Sequence, residues 1–129
     1  MGMTLKDLVA EARTQVGTIE PAEAQADASA GGLILDVREP SELAQNGAVA
    51  GALNLPRGIL ETRADATLDT AEPRLTGQQG KGTVHVLCAA GGRAALAAAT
   101  LRRMGYEADV IAGGLNGWKA ADLPVEMPG

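Results

Sequence analysis

The chain has 129 residues, which suits one domain, and 16 acidic against 11 basic side chains give it a net charge of −5. A nucleic-acid partner needs a basic surface, so this balance argues against nucleic acid as a ligand. No apolar run approaches the roughly 20 residues of a membrane span, and the N-terminus lacks the apolar segment of a signal peptide. Apolar residues make up 46% of the chain with no Phe and one Trp, so the core must consist of Ala, Leu, Val and Ile. The single cysteine excludes an internal disulfide, and we expect a cytoplasmic protein without membrane contact.

The first half of the chain alternates helices with short apolar runs. Thr4 and Asp7 match a capping box, and the apolar spacing that follows predicts an N-terminal helix over residues 1–16. Pro21 starts a second predicted helix, which ends before the glycine pair at 31–32. The run LILDV at 33–37 is typical of a strand buried on both faces, and a short helix, SELAQN, is expected after it.

The second half continues the alternation after one long polar connection. GALNLP at 51–56 predicts a short strand, and residues 61–82 show no clear element, a length that is often functional or mobile. TVHVL predicts a strand, and the alanine-rich stretch from Arg93 predicts a helix that ends at Gly105. ADVIAGG predicts a last strand, which is followed by a short helical segment around Trp118. Strands separated by helices imply an α/β domain with a parallel sheet and helices on both sides, and we assign all of 1–129 to this one domain.

The lone thiol, Cys88, follows the strand TVHVL and precedes a helix start. Ligands of parallel α/β sheets bind beyond the carboxyl ends of the strands, and the free amides and dipole of a helix start favour an anion there. The same field favours thiolate over thiol, and Arg93 adds positive charge. A cysteine at a strand end is more often a small core residue, but glycines that permit positive φ and inward-turned amides favour a nucleophile for an anionic substrate. The candidate catalytic residue is therefore Cys88, and the candidate substrate-binding residues are Ala89, Ala90, Gly91, Gly92 and Arg93.

Three ordered segments carry a family resemblance. LILDVREPSELAQNGAVAGALNLP, CAAGGRAALAAATLRRMGY and VIAGGLNGWKAADLPV are similar to the signature, active-site loop and closing segment of single-domain rhodaneses, which are sulfurtransferases. The resemblance spans roughly residues 17–126. It implies a central parallel five-stranded sheet flanked by helices on both faces. It also implies transfer of a sulfane sulfur from a donor such as thiosulfate or a persulfide, through a Cys88 persulfide, to a thiophilic acceptor, with no cofactor.

Two positions depart from the family pattern, and the loop length separates two chemistries. Ala48 stands where the family signature usually has histidine, and Ala94 where the loop is often followed by serine. Four residues separate Cys88 from Arg93. Related folds that hydrolyse phosphate esters have a loop one residue longer, so the resemblance associates this length with sulfur transfer.

Other residues are assigned weaker roles. The resemblance implies that Asp36 and Arg38 pair and brace the loop from beneath, while an ion pair that only stabilises the fold is the favoured interpretation, so both residues are assigned a supporting role. Arg57, in a Pro-Arg-Gly stretch similar to that of some rhodaneses, is a candidate for steering an anionic donor, with a solvated surface arginine as the slightly favoured alternative. His85 precedes Cys88 on a strand where adjacent positions face opposite sides, so a role in the chemistry is not expected. No metal-ligand spacing or phosphate-binding motif is present.

The expected partners are a small anionic sulfur donor and a thiol or cyanide acceptor, with a protein thiol as a further candidate acceptor. A non-catalytic module for binding, sensing or persulfide relay is the main alternative, and the two alanine replacements favour it mildly. A phosphatase-like or arsenate-reducing activity ranks third because of the loop length. The physiological donor and acceptor, the oligomeric state, the effect of Ala48 and Ala94 on activity and the role of residues 61–82 do not follow from the sequence.

Overall fold

The computed structural model describes residues 2–127 and contains one parallel five-stranded sheet within them. The strands are β1 (Gly17–Ile19), β2 (Leu33–Asp36), β3 (Leu53–Asn54), β4 (Thr83–Leu87) and β5 (Glu107–Ile111). Their order across the sheet is β1-β5-β4-β2-β3, and every neighbouring pair is parallel. The central strand β4 therefore ends in the middle of the carboxyl edge, the place at which ligands of such sheets bind.

Helices cover both faces of the sheet, as the sequence predicts. They are α1 (Leu5–Arg13), α2 (Pro21–Ser29), α3 (Pro40–Asn46), α4 (Leu60–Ala64), α5 (Pro73–Thr76), α6 (Gly92–Arg103) and α7 (Gly114–Ala120). One core cluster joins the sheet to α1, α4, α5 and α6, and a second joins it to α2 and α7. Within β4, Val84 and Val86 enter the first cluster and Leu87 the second, because successive side chains of a strand point to opposite faces. No helix within residues 2–127 combines the length and apolar character that a membrane crossing requires.

Small side chains form the contact between α6 and the sheet. Ala94, Ala95, Ala97 and Ala98 are each 0% exposed. Alanine is the best helix former, and its single methyl group lets a helix backbone lie close to the strands beneath it. The core therefore reaches close packing without phenylalanine.

Three details differ from the sequence-based expectation. The edge strand β1 was not predicted individually, because it has only three residues and carries no apolar run; two of the three are exposed. Residues 61–82 are not a featureless connection: they contain most of α4 and all of α5, each with few apolar residues, and Leu75 is 0% exposed. The first helix has the predicted capping box, but it ends at Arg13 with Thr14 as its C-cap, three residues before the predicted end at residue 16.

Candidate active site

Cys88 lies directly after β4, and its thiol is enclosed by the loop that leads into α6. The residue is 1% exposed. Its Sγ accepts hydrogen bonds from the backbone N–H of Gly91 at 3.0 Å and from that of Ala94 at 3.3 Å. Two converging amides stabilise negative charge on the sulfur, which is the environment that reactive cysteines occupy at helix starts.

The two amide donors only partly match the predicted set. Gly91 is one of the predicted residues, whereas Ala94 entered the sequence analysis only as a replacement for serine. Gly91 is the N-cap of α6, which makes Ala94 its third helical residue. Amides in the first turn of a helix are the usual donors to a side chain at its start, so this rule could have pointed to Ala94. The N–H groups of Ala89, Ala90, Gly92 and Arg93 do not bind Sγ in this structure.

The loop conformation depends on one of its two glycines. Gly91 has φ +125°, a backbone conformation that residues other than glycine rarely adopt, while Gly92 has an ordinary helical φ. The predicted positive φ is therefore found at Gly91 alone. It turns the chain directly after the Gly91 amide, and this N–H and that of Ala94 in the first turn of α6 both reach Sγ.

The carbonyl side of the loop is held by the start of α7. Leu115 N–H donates to the Cys88 carbonyl at 2.7 Å, and Asn116 N–H donates to the Ala89 carbonyl at 3.2 Å. Gly114 has φ +57°, and a Cβ there would collide with the carbonyl oxygen of Cys88. The sequence analysis did not assign Gly114 a function. The glycine pair that follows β5 was the signal for this close approach of two backbones.

Arg93 forms a two-pronged ion pair with Glu42 of α3. Its Nη1 and Nη2 donate to the two carboxylate oxygens at 2.8 and 2.9 Å. Glu39 N–H donates to the same carboxylate at 2.8 Å. The hydrogen bond from Arg93 is the main cause that lowers the pKa of Glu42 to about 2, against the opposing effect of desolvation. The charge of Arg93 is thus compensated within the protein, by a residue that the sequence analysis did not name.

Asp36 and Arg38 form the second arginine–carboxylate pair, beneath the site. Arg38 Nε and Nη2 donate to the carboxylate at 3.0 and 2.7 Å, and both side chains are 1% exposed. Arg38 also donates to the Gly47 carbonyl at 2.9 Å, and Asn54 ties down the backbone carbonyls of Asp36 and Arg38. The predicted pair is therefore present, and it fixes the segment that follows β2.

The remaining candidates contact other parts of the fold and form no hydrogen bond with the thiol within residues 2–127. Arg57 donates to Glu61 at 2.9 Å and to the Thr100 hydroxyl at 3.3 Å, which links its turn to α6. Ala48 pairs with Glu126 through two backbone hydrogen bonds, so the position of the family histidine is joined to the C-terminal segment. Within residues 2–127, no group of three or more His, Cys, Asp or Glu side chains is arranged to hold a metal ion.

His85 lies between two carboxylates, away from the hydrogen bonds of the site, and its side chain is 3% exposed. Its ring nitrogens lie 2.7 Å from Asp109 and 2.6 Å from Asp27. Burial opposes the charged imidazole, but hydrogen bonds to Asp109 and Asp27 outweigh that effect and raise the pKa of His85. This arrangement joins α2 to the sheet.

The family model for the Rhodanese-like domain matches residues 20–121 of this chain. A protein of unknown function from Rhodopseudomonas palustris, described as a possible tyrosine phosphatase, is 32% identical with a TM-score of 0.87 over 98% of this chain and 96% of that one. A rhodanese-related protein from Thermoplasma volcanium is 27% identical with a TM-score of 0.69, over 87% of this chain and 99% of its own.

A thiosulfate sulfurtransferase from Pseudomonas aeruginosa shares the fold. It is 24% identical with a TM-score of 0.76 over 95% of this chain, which covers 22% of that protein. No curated protein matches the sequence. Because the family model covers most of the chain, including the complete loop from Cys88 to Arg93, the chain belongs to the Rhodanese-like domain family.

Proposed function

We propose that this protein is a rhodanese-type sulfurtransferase in which Cys88 carries the transferred sulfur. The observation that carries the proposal is the pair of backbone amides, Gly91 and Ala94, directed at a single enclosed thiol at the end of the central strand. Membership of the Rhodanese-like domain family supports it.

The reaction would proceed in two displacements. The Cys88 thiolate attacks the outer sulfur of thiosulfate, the sulfur–sulfur bond of the donor breaks, and sulfite leaves with the bonding electron pair. Cys88 then holds an anionic persulfide whose charge is stabilised by the loop amides in the manner of an oxyanion hole. Cyanide or a thiolate attacks the outer sulfur of this persulfide and restores the Cys88 thiolate, which predicts ping-pong kinetics.

A phosphatase is a further candidate, since the Rhodopseudomonas palustris protein is described as a possible tyrosine phosphatase. The loop length argues against this chemistry, because related folds that hydrolyse phosphate esters have five residues between the cysteine and the arginine, whereas four separate Cys88 from Arg93. The arginine that would bind phosphate in such a cup is, moreover, already paired with Glu42. A non-catalytic module for binding, sensing or persulfide relay is the main alternative, which the replacements at Ala48 and Ala94 favour mildly.

Intact mass after incubation with thiosulfate and removal of free donor tests the proposal. We expect the native protein to gain one sulfur atom and to release it to cyanide as thiocyanate. Cys88→Ser should show neither reaction and should unfold at nearly the same temperature as the native protein, because the substitution is close to isosteric. A native protein that gains no sulfur from thiosulfate or any persulfide would exclude the transferase, and hydrolysis of a phosphate ester in a parallel assay would favour the phosphatase.

A further inference from the structure

The N-terminal helix α1 reaches the active-site loop although it lies before the residues that the family model matches. That match begins at residue 20, whereas α1 ends at Arg13. Ala12 is buried in the core cluster that contains the α6 alanines, and Val9 packs against the same cluster. Val9 Cγ2 also lies 3.7 Å from the point where a Cβ on Gly92 would stand. The helix therefore covers the start of α6.

Arg13, in the last turn of α1, brings a guanidinium group to this loop. Its Nη2 lies 3.1 Å from the position that a Cβ on Gly91 would occupy. Gly91 is the residue whose N–H donates to Cys88 Sγ. The absence of a side chain at position 91 thus serves the positive φ and also leaves room for the arginine.

The two arginines nearest the loop differ in their partners. The charge of Arg93 is neutralised by Glu42, to which both Nη atoms of Arg93 donate. Arg13 is exposed, and none of the salt bridges within residues 2–127 includes it. An anion that approaches the loop therefore meets an uncompensated cation at Arg13 and a compensated one at Arg93.

We infer that Arg13 is the residue that recognises the negative charge of the sulfur donor, and that α1 forms part of the active-site rim. The inference rests on the proposed sulfurtransferase function and assigns donor selectivity to a helix outside the family match. A charge-assisted contact at an exposed position has a modest effect, so we expect a selectivity of about five- to tenfold.

Kinetics with a charged and an uncharged donor test the inference. Arg13→Gln should lower kcat/KM for thiosulfate by about five- to tenfold and change kcat/KM for an uncharged organic trisulfide by less than about twofold. With the trisulfide, Cys88 attacks the central sulfur, one sulfur–sulfur bond breaks and a thiolate leaves, and release of that thiolate is the rate measured. Arg13→Lys should retain most of the thiosulfate activity because it keeps the charge. Arg103→Gln is the matched control: Arg103 is also exposed, forms no salt bridge within the described residues and lies at the opposite end of α6.

A second measurement does not require sulfur transfer. Iodoacetate and iodoacetamide both alkylate Cys88 and are similar in size, but only iodoacetate is negatively charged. The ratio of their alkylation rates therefore reports how the site treats an anion. We expect Arg13→Gln to reduce the iodoacetate-to-iodoacetamide rate ratio severalfold relative to the native protein and to Arg103→Gln.

The outcomes separate the two proposals. Equal losses for both donors in Arg13→Gln, or an unchanged alkylation ratio, would overturn the role of Arg13 even if sulfur transfer is confirmed. A native protein without sulfur uptake but with an alkylation ratio that depends on Arg13 would instead refute the transferase and keep Arg13 as the anion-recognising residue.

Discussion

Two arginine–carboxylate pairs flank the candidate site, and they differ in burial and in what they connect. Asp36 and Arg38 are two residues apart, 1% exposed, and tied to the backbone of one segment. Glu42 and Arg93 are 28% and 38% exposed and join α3 to the first turn of α6 across the loop. The first pair has no access to solvent or substrate, whereas the second is within reach of both.

Because of this difference, the Asp36–Arg38 pair has a structural role, whereas the Glu42–Arg93 pair can break and re-form. A buried charge that loses its partner cannot recover by hydration, so the Asp36–Arg38 pair must persist in every working state. A half-exposed pair can exchange its contact for water or for an anion at small cost. The Glu42–Arg93 pair is therefore the one whose rupture should change selectivity rather than stability.

The largest effect is expected from breaking the buried pair. Arg38→Gln leaves the carboxylate of Asp36 buried without its cation, which should lower the free energy of unfolding by about 3–5 kcal/mol. Urea unfolding followed by circular dichroism measures this loss. The double variant Asp36→Asn, Arg38→Gln should recover part of it because no unpaired charge remains. A loss below about 1 kcal/mol in the single variant would contradict the structural role.

The next effect is expected from lengthening the loop. One glycine inserted between Gly92 and Arg93 should shift the Ala94 amide away from Sγ and Arg93 away from Glu42. A displacement of about 1 Å in preorganised groups can cost roughly 100-fold in rate, and we expect that loss in thiosulfate:cyanide turnover. A phosphate-ester assay is run in parallel on both forms. Unchanged sulfur transfer would remove the argument that cup size selects the chemistry.

A smaller, opposite effect is expected from breaking the half-exposed pair. Glu42→Gln removes the charge that compensates Arg93, so the loop should gain attraction for a dianionic donor. We expect kcat/KM for thiosulfate to rise about threefold relative to an uncharged trisulfide. Arg93→Ala should not show this rise. A fall for both donors in Glu42→Gln would mean that the pair shapes the loop instead of setting its charge.

The smallest effect concerns the ion pair on the other face of the sheet. Hydrogen bonds to Asp109 and Asp27 raise the pKa of His85 above 6.5 despite burial. Since the folded pKa is the higher one, this stabilisation is complete below about pH 6.5 and is lost as the pH rises through the folded value. We expect Asp27→Asn to lower Tm by a few degrees at about pH 6 and by less at about pH 9. An equal difference at both pH values would exclude a charged His85.

Local patterns in the sequence predicted the elements that carry strong signals. Cys88 at the end of a buried strand, the Thr4 capping box and the helix after the glycine pair all follow from short-range rules. Glu42 could not be assigned to Arg93, because the two are 51 positions apart in the sequence and are brought together only by the sheet order. Arg13 was missed for the same reason, as its position depends on how α1 packs on α6. Most of α4 and all of α5 were missed because four- and five-residue helices carry too few apolar positions to show a period.

The buried alanines of α6 make this helix sensitive to substitution by larger residues rather than to truncation. Ala94, Ala95, Ala97 and Ala98 have almost no side chain to lose, so truncation hardly affects this contact, but each added methyl group has no space to occupy. Enlargement in a filled core costs typically about 1–3 kcal/mol and moves the backbone. Because the first turn of the same helix aims the Ala94 amide at Sγ, such a shift would reach the thiol without any substitution in the loop. Residues larger than alanine should therefore be poorly tolerated at these four positions. At 97 and 98 we expect larger residues to reduce activity before they unfold the domain.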